Sequence, residues 1–225
     1  MDKFKHIDTW VFDHIDTWVF DLDNTLYDAQ SHIFVEIGKR MTGFVADHLK
    51  ISHAEADKIR KEFYQKYGTT LRGMMTEHGV APDYFLKHVH DVNLGVVPPC
   101  AITREYLSHL PGRKFIFTNA PISFAKNMTA HLGIDHHFDG IFAIEHANYW
   151  PKPDPRTYNL FLEKHAINPK TACMFEDMQV NLKPAHDLGM TTVWFHGDTA
   201  PPHHEHVHHK SGKLPHWLQH TIRKK

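Results

Sequence analysis

The hydrophobic positions follow two rhythms, one after the other. Ile33, Phe34, Ile37, Met41, Phe44, Val45 and Leu49 recur at steps of one, three and four, which places them on one face of a long helix. Ser52 followed by Glu55 has the spacing of a capping box, and Ile59, Phe63, Tyr64 and Tyr67 continue a second helix that Gly68 should stop. Shorter helical stretches follow at 71–75 and 84–92. Nothing from 29 to 97 alternates as a strand would, so this block reads as an all-helical insert. From Lys114 short apolar runs take over. KFIFT (114–118), GIFAI (140–144), ACMF (172–175) and TTVWF (191–195) read as buried strands, separated by helical stretches at 122–132, 155–166 and 178–188. Alternation of this length predicts βαβ crossovers and a parallel sheet. Such sheets bind ligands beyond the carboxyl ends of their strands, so the polar residues after each apolar run are the candidates for chemistry.

The first strand is ambiguous, because HIDTWVFD occupies residues 6–13 and again 14–21. Eight residues are too few for a solenoid period, so the repeat reads as a local duplication or a sequence artefact. It offers two versions of one strand, 9–12 and 17–20.

Composition narrows the class. A chain of 225 residues fits one to two domains, at roughly 150 residues per domain. With 41% hydrophobic and 23% charged residues it has ordinary globular usage, which excludes a disordered or fibrous chain. The formal charge of −1 gives no basic field for a nucleic-acid polymer or an anionic membrane. Cys100 and Cys173 are too few for a disulfide framework and fit a reducing compartment. No apolar run approaches the roughly 20 residues that span a bilayer, and Asp2, Asp8 and Asp13 break the pattern of a signal peptide. The expectation is a soluble, cytoplasmic protein. Protonating all 23 histidines would carry the net charge from −1 to +22, so charge should depend steeply on pH. The densest histidine cluster, 203–209, reads as a solvated run or short strand, with a transition-metal site as the alternative.

Candidate chemistry falls at four strand ends. Asp21 and Asp23, at positions i and i+2 of an extended chain, face one side. Two adjacent anions call for a cation, and a hard divalent ion with oxygen ligands such as Mg²⁺ answers that need. Thr118 and Asn119 end the second run and suit either a phosphate or a helix cap. Lys152 lies between Pro151 and Pro153, which would aim one cation. The fourth run ends in Glu176 and Asp177, a second acid pair that burial would penalise without a cation. Each signal alone has a bland explanation; an acid pair, a hydroxyl with an amide, a lysine and an acid pair in series do not.

These four segments resemble the four motifs of the haloacid dehalogenase-like hydrolase superfamily. DLDNTLY, the insert stretch YGTTLRGMM, FTNA, LGIDHHFDGIF, KPDP and an acid pair with Asn181 downstream are most similar to its pyrimidine 5′-nucleotidase-like branch. One departure stands: Glu176-Asp177-Met178 replaces the two aspartates and serine usual in that branch. The resemblance implies an α/β fold, a Rossmann-like parallel sheet core of residues 1–28 and 98–225, with an all-helical cap domain inserted at 29–97. It also decides the repeat. Asp13 leads into DxxDT, whereas Asp21 leads into DxDxT, so Asp21 is the expected nucleophile.

What the resemblance implies is hydrolysis of a phosphomonoester through an aspartyl phosphate. Asp21 would attack phosphorus, and Asp23 would serve first as general acid and then as general base. Thr118, Asn119 and Lys152 would hold the phosphoryl group. Mg²⁺ would be held by the Asp21 side chain, the Asp23 backbone carbonyl and Asp177, with Glu176 ligating or orienting waters. Thr70, Arg72 and His90 are the insert candidates for contact with the substrate, a small phosphorylated metabolite such as a pyrimidine nucleoside 5′-monophosphate. The rivals are a sugar-phosphate phosphatase, a phosphomutase and a phosphonatase. The last needs a Schiff-base lysine, for which Lys39, Lys50 and Lys58 are candidates. A dehalogenase of this fold would lack the second acid, and a purely binding role would leave the four-part constellation without a purpose.

Overall fold

The computed structural model describes residues 4–7, 12–28, 33–198 and 202–224. A short ribbon pairs β1 (Phe4–Ile7) antiparallel with β8 (Ile222–Lys224). The main sheet contains β2 (Thr17–Phe20), β3 (Arg113–Phe117), β4 (Gly140–Phe142), β5 (Ala172–Glu176), β6 (Thr191–Phe195) and β7 (His209–Ser211). Its order is β4-β3-β2-β5-β6-β7, and every pairing is parallel. The first strand is therefore the second copy of the repeat. Of the other candidate strand, 9–11 lie outside the described residues, while Phe12 and Asp13 sit in a turn ahead of β2.

Alternation along the strands builds two cores. Trp18, Phe20, Ile116, Cys173, Phe175, Val193 and Phe195 are buried on one face, where Phe20, Phe175 and Phe195 stack across three adjacent strands. That face is covered by α5 (Ala101–Leu107), α6 (Ile122–Leu132) and α9 (Leu214–Thr221), through Leu107, Phe124, Met128, Trp217 and Leu218. Val19, Phe115, Phe117, Phe142, Met174 and Trp194 point the other way, towards Tyr158 and Phe161 of α7 (Pro155–His165) and Leu182 of α8 (Gln179–Asp187). Helices on both faces bury the central strands β2, β3, β5 and β6 on both sides, which is why those runs read as continuously apolar. GIFAI contributes only three residues to its strand, because the chain turns into a 3₁₀ segment at Ile144–Ala147.

The insert between β2 and β3 is helical: α1 (Ile33–Leu49), α2 (His53–Tyr67), α3 (Thr70–His78) and α4 (Pro82–Val89). The capping box forms as expected, with the Ser52 hydroxyl accepting from the Glu55 amide and the Glu55 carboxylate accepting from the Ser52 amide. Gly68 ends α2 at a φ of 80°, and Thr69 caps α3 by accepting from the Arg72 amide. α2 and α3 pack so closely at Gly73 that a Cβ there would fall 2.3 Å from Phe63 Cγ. α4 ends earlier than its apolar pattern, at Val89, with His90 as its C-cap. Among the described residues no helix is long and apolar enough to cross a membrane. Both cysteines are free.

The histidine cluster is partly exposed and partly joined to the edge of the sheet. His203 and His204 are exposed, and His209 opens the edge strand β7. The His206 ring meets the Gln179 carbonyl, and His208 Nδ1 lies 3.1 Å from the Thr192 amide. No described group there has the geometry of a three-ligand metal site.

Acid should weaken the fold. The His90 ring packs on Phe124, with ring centroids 5.1 Å apart, and burial pushes its pKa down to about 4. The unfolded chain then binds the extra proton below about pH 6.5, so His90 supports the fold fully above that pH and loses its contribution as pH falls from 6.5 to 4. Burial lowers His137, His146, His165, His208 and His209 in the same direction. Urea denaturation across this range should show falling stability, and His90→Gln should reduce the total loss between pH 6.5 and 4 by at most about 3 kcal/mol. An unchanged slope in the variant would remove His90 from the account.

Candidate active site

Parallel strands deliver their carboxyl ends to one edge of the sheet. Asp21 follows β2, Thr118 and Asn119 follow β3, and Glu176 and Asp177 lie at the end of β5. Two further ladder bonds fix these ends: the Asp21 amide donates to the Phe175 carbonyl and the Thr118 amide to the Phe142 carbonyl, each at 2.9 Å.

Lys152 is the hub. Its ammonium donates to Asp21 Oδ1 at 2.7 Å, to the Phe117 carbonyl at 2.8 Å and to Glu176 Oε1 at 2.8 Å, so all three N–H bonds are used, and its side chain is 1% exposed. The loop is held as firmly as the side chain. Asn119 Oδ1 accepts from the Lys152 amide at 2.8 Å, and Asn119 Nδ2 donates to the Lys152 carbonyl at 3.2 Å. The Asn119 side chain thus fixes the lysine that the sequence placed beside it in a phosphate site. Thr118 is buried, and its hydroxyl oxygen accepts from the Ala120 amide, leaving the hydroxyl proton to donate.

The acids divide into two kinds. Glu176 meets donors on both oxygens: Oε1 accepts from Lys152 and from Asn181 Nδ2 (2.6 Å), and Oε2 from the Met178 amide (2.8 Å). Burial raises its pKa, but the lysine and these donors outweigh burial and hold it below the usual range. The opposing pull of the two carboxylates likewise outweighs burial at Lys152 and raises its pKa. Asp21, Asp23 and Asp177 are less well neutralised. Burial raises Asp21 well above the usual range, with Lys152 opposing and the other carboxylates adding. Burial brings Asp23 to about 6, with the bond from the Tyr27 hydroxyl and Lys152 opposing. Asp177 goes to about 8, chiefly through burial and then through Glu176, although Asn24 Nδ2 donates to its Oδ2 at 3.1 Å.

Four carboxylates facing one ammonium leave an excess of negative charge, which is the chemical case for a cation. Asp21, Glu176 and Asp177 each bring a carboxylate oxygen within 4.8 Å of the others. An all-oxygen anionic donor set suits a hard divalent ion. Because Glu176 is occupied by its three donors, Asp21 and Asp177 have the freer oxygens. A cavity of about 940 Å³, lined by Asn24, Tyr27, Val97, Trp194 and Lys213 among others, opens beside Asp177.

A family model for haloacid dehalogenase-like hydrolases matches residues 15–189, from the turn before β2 to the end of α8. The chain belongs to this family. Among curated relatives, this HAD-like hydrolase is 32% identical over 76 residues to the fructose-1-phosphate phosphatase YqaB of Escherichia coli, covering 34% of the chain and 40% of the relative. It is 25% identical over 188 residues to phosphate metabolism protein 8 of Saccharomyces cerevisiae, covering 76% of the chain and 59% of the relative. The chain thus matches well under two thirds of the length of either. A HAD phosphatase from Thermococcus onnurineus has the same fold, with a TM-score of 0.65 at 17% identity over 91% of this chain and 96% of that one.

The insert candidates are not gathered at this HAD-like site. Thr70 is buried, and its hydroxyl donates to the Arg60 carbonyl inside the insert. His90 packs on Phe124, and its Nδ1 lies 3.1 Å from the Leu86 carbonyl. Arg72 stacks on Trp150, two residues before Lys152, with its guanidinium carbon 3.5 Å from the ring centroid. Instead α2 brings Tyr64 to the acid edge, where its hydroxyl lies 3.7 Å from Met178 Sδ and where burial, then Asp177 and Glu176, raise its pKa. In sequence Tyr64 is one more member of an apolar helical face; only its 49% exposure separates it from that face.

Lys152→Met should destabilise the protein by about 3–5 kcal/mol, the usual cost of stripping one partner from a buried ion pair. Chemical denaturation measures it. A loss below about 1 kcal/mol would mean that the acids relax without their lysine.

Proposed function

We propose that the chain is a Mg²⁺-dependent phosphomonoesterase that forms an aspartyl phosphate on Asp21, with pyrimidine nucleoside 5′-monophosphates as substrates. The observation that carries the phosphatase reading is the pairing of Asp21 and Asp23 beside a fully coordinated Lys152, with Asp177 across from them. The Asp21 carboxylate attacks phosphorus in line, and Lys152 offsets charge on the phosphoryl oxygens. Thr118 donates its hydroxyl proton to one of those oxygens. Asp23, whose pKa of about 6 lets it hold or release a proton near neutrality, protonates the departing oxygen and then takes a proton from water. Mg²⁺, held by Asp21, the Asp23 carbonyl and Asp177, would neutralise charge on the phosphoryl group. Glu176 acts by holding Lys152. The helical insert, residues 29–97, serves as a cap over a core of 1–28 and 98–225, keeping bulk water from the intermediate.

The nucleotide assignment is supported by the likeness of DLDNTLY, YGTTLRGMM, FTNA and KPDP to the pyrimidine nucleotidase-like branch. A second reading, a sugar phosphate, is favoured by the fructose-1-phosphate phosphatase among the relatives. The phosphonatase reading loses its support. Lys39, Lys50 and Lys58 are all exposed, whereas a Schiff-base lysine is made nucleophilic by burial.

Asp21→Asn should lower turnover of a phosphomonoester by about 10³-fold or more. Asp13→Asn, in an exposed turn at the opposite end of β2, should leave turnover unchanged. Equal losses in the two would overturn the choice of nucleophile. Titrating Mg²⁺ against activity should show Asp177→Asn needing more metal than Glu176→Gln; the reverse order would exchange their roles. Steady-state kinetics on UMP, CMP, AMP, GMP and fructose 1-phosphate decides the substrate. Higher kcat/KM for the pyrimidine nucleotides supports the first reading, and a preference for the sugar phosphate replaces it with the second.

A further inference from the structure

Three consecutive residues lead into Lys152, and each is met by a different part of the insert. The Tyr149 hydroxyl donates to Asp83 of α4 at 3.1 Å. Trp150 lies under Arg72 of α3. Pro151 lies against Gly68, the cap of α2, so closely that a Cβ on Gly68 would come within 3.0 Å of Pro151 Cγ. Three helices of the insert therefore converge on 149–151.

The core side of the same segment is equally committed. Arg156 covers the other face of Trp150, its guanidinium carbon 3.3 Å from the ring centroid, and is held there by Asp154. The Trp150 carbonyl accepts from the Thr157 hydroxyl at 2.7 Å, and the Pro151 carbonyl from the Asp154 amide at 2.9 Å. Trp150 is thus clamped between two guanidinium groups, one from the insert and one from the core. Each is an arginine–indole contact in which the cation is attracted to the ring face. Asn148 and Tyr149 adopt φ values of 51° and 61°, a left-handed conformation that is unfavourable for a residue with a Cβ. Such strain persists where surrounding contacts over-determine it.

We infer that 149–151 is a docking strap through which the seated insert fixes the position of Lys152, with Trp150 as its positioning residue. Lys152 is gripped along its backbone by Asn119 and at its ammonium by three acceptors, so it has little freedom of its own. A shift of the strap is passed directly to the ammonium and to Asp21. When the insert lifts, the contacts from Arg72, Asp83 and Gly68 are lost together, and the strap is then held from the core side alone. Trp150 touches no reacting atom in this scheme; it acts through Lys152. The kinetic part of the inference rests on the phosphatase reading, and the structural part does not.

The test uses the full chain with Arg72→Gln, Arg72→Lys, Trp150→Ala and Trp150→Phe. Hydrogen exchange should become faster at 149–154 in Arg72→Gln and Trp150→Ala, with the sheet unchanged. With p-nitrophenyl phosphate as substrate, kcat should fall about 10- to 100-fold in these two variants while KM changes less than threefold, the scale expected for a misplaced charged group. Arg72→Lys and Trp150→Phe, which keep a cation over a ring, should recover most of kcat. Unchanged exchange at 149–154 overturns the strap, as does faster exchange spread over the whole chain, which would mark Trp150 as a packing residue only. Faster local exchange with wild-type kcat overturns the positioning role. If the wild type hydrolyses no phosphomonoester, the phosphatase reading fails, and the exchange result judges the strap by itself.

Discussion

Everything at the edge of the sheet depends on an ammonium group taken out of water. Burying Lys152 is costly unless each of its N–H bonds finds an acceptor, and the fold supplies one from the end of each of three adjacent strands: Phe117, Asp21 and Glu176. Such convergence requires parallel strands, because only then do neighbouring carboxyl ends lie side by side. It also requires β2 at the centre of β3-β2-β5, which the strand order provides. The aromatic stack of Phe20 on Phe175, one residue below Asp21 and Glu176, keeps those ends in register. The sheet and the site are in this sense one construction.

Neutralisation at this edge is unequal. Glu176 has donors on both oxygens and is the standing counter-ion of Lys152. Asp21, Asp23 and Asp177 share what positive charge remains, and all three are pushed towards protonation. A carboxylate that is fully hydrogen-bonded can neither attack nor ligate without breaking bonds, whereas an under-neutralised one gains from doing either. The second acid pair thus divides in the fold: Glu176 has donors on both oxygens, whereas Asp177 is less well neutralised, with Asn24 donating to one oxygen.

What the sequence revealed was what local physics controls. Ser52 with Glu55, Gly68, and the period of α1 are decided within one or two turns, and the buried strands are marked by their own composition. Elements whose order comes from neighbours were missed. β7 is His209–Ser211, with no apolar alternation, and is a strand only because β6 offers it a free edge. α9 carries histidines at 216 and 220 and a proline at 215, which dilute its period, yet Trp217 and Leu218 anchor it on Phe175 and the core. At the site, the segments that carry Asp21, Thr118, Lys152 and Glu176 stood out in sequence because the residues within each are adjacent in the chain. The clamp on Trp150 was not, because Arg72 and Arg156 are brought to it from separate helices.

The stretch YGTTLRGMM shows how a likeness in sequence can outrun its meaning. Gly68 ends a helix and lies against Pro151, Thr69 caps the next helix, Thr70 bonds inside the insert, and Gly73 leaves room for Phe63. Arg72 is spent on Trp150. Each of these residues has a mechanical duty. A shared stretch of this kind therefore argues for a shared way of seating the helices on the core, and it is weak evidence about what is hydrolysed. Discrimination among leaving groups must come from side chains with uncommitted surface near the acids. Tyr64 and Met178 meet that description: they touch one another across the seam, and they remain 49% and 40% exposed. Met178 is also where this chain departs from the serine of the branch it resembles. An aromatic ring beside a thioether is an apolar wall, so under the proposed phosphatase reading a flat or apolar leaving group would gain more from it than a polyhydroxylated one, whose hydroxyls would lose water without gaining a partner.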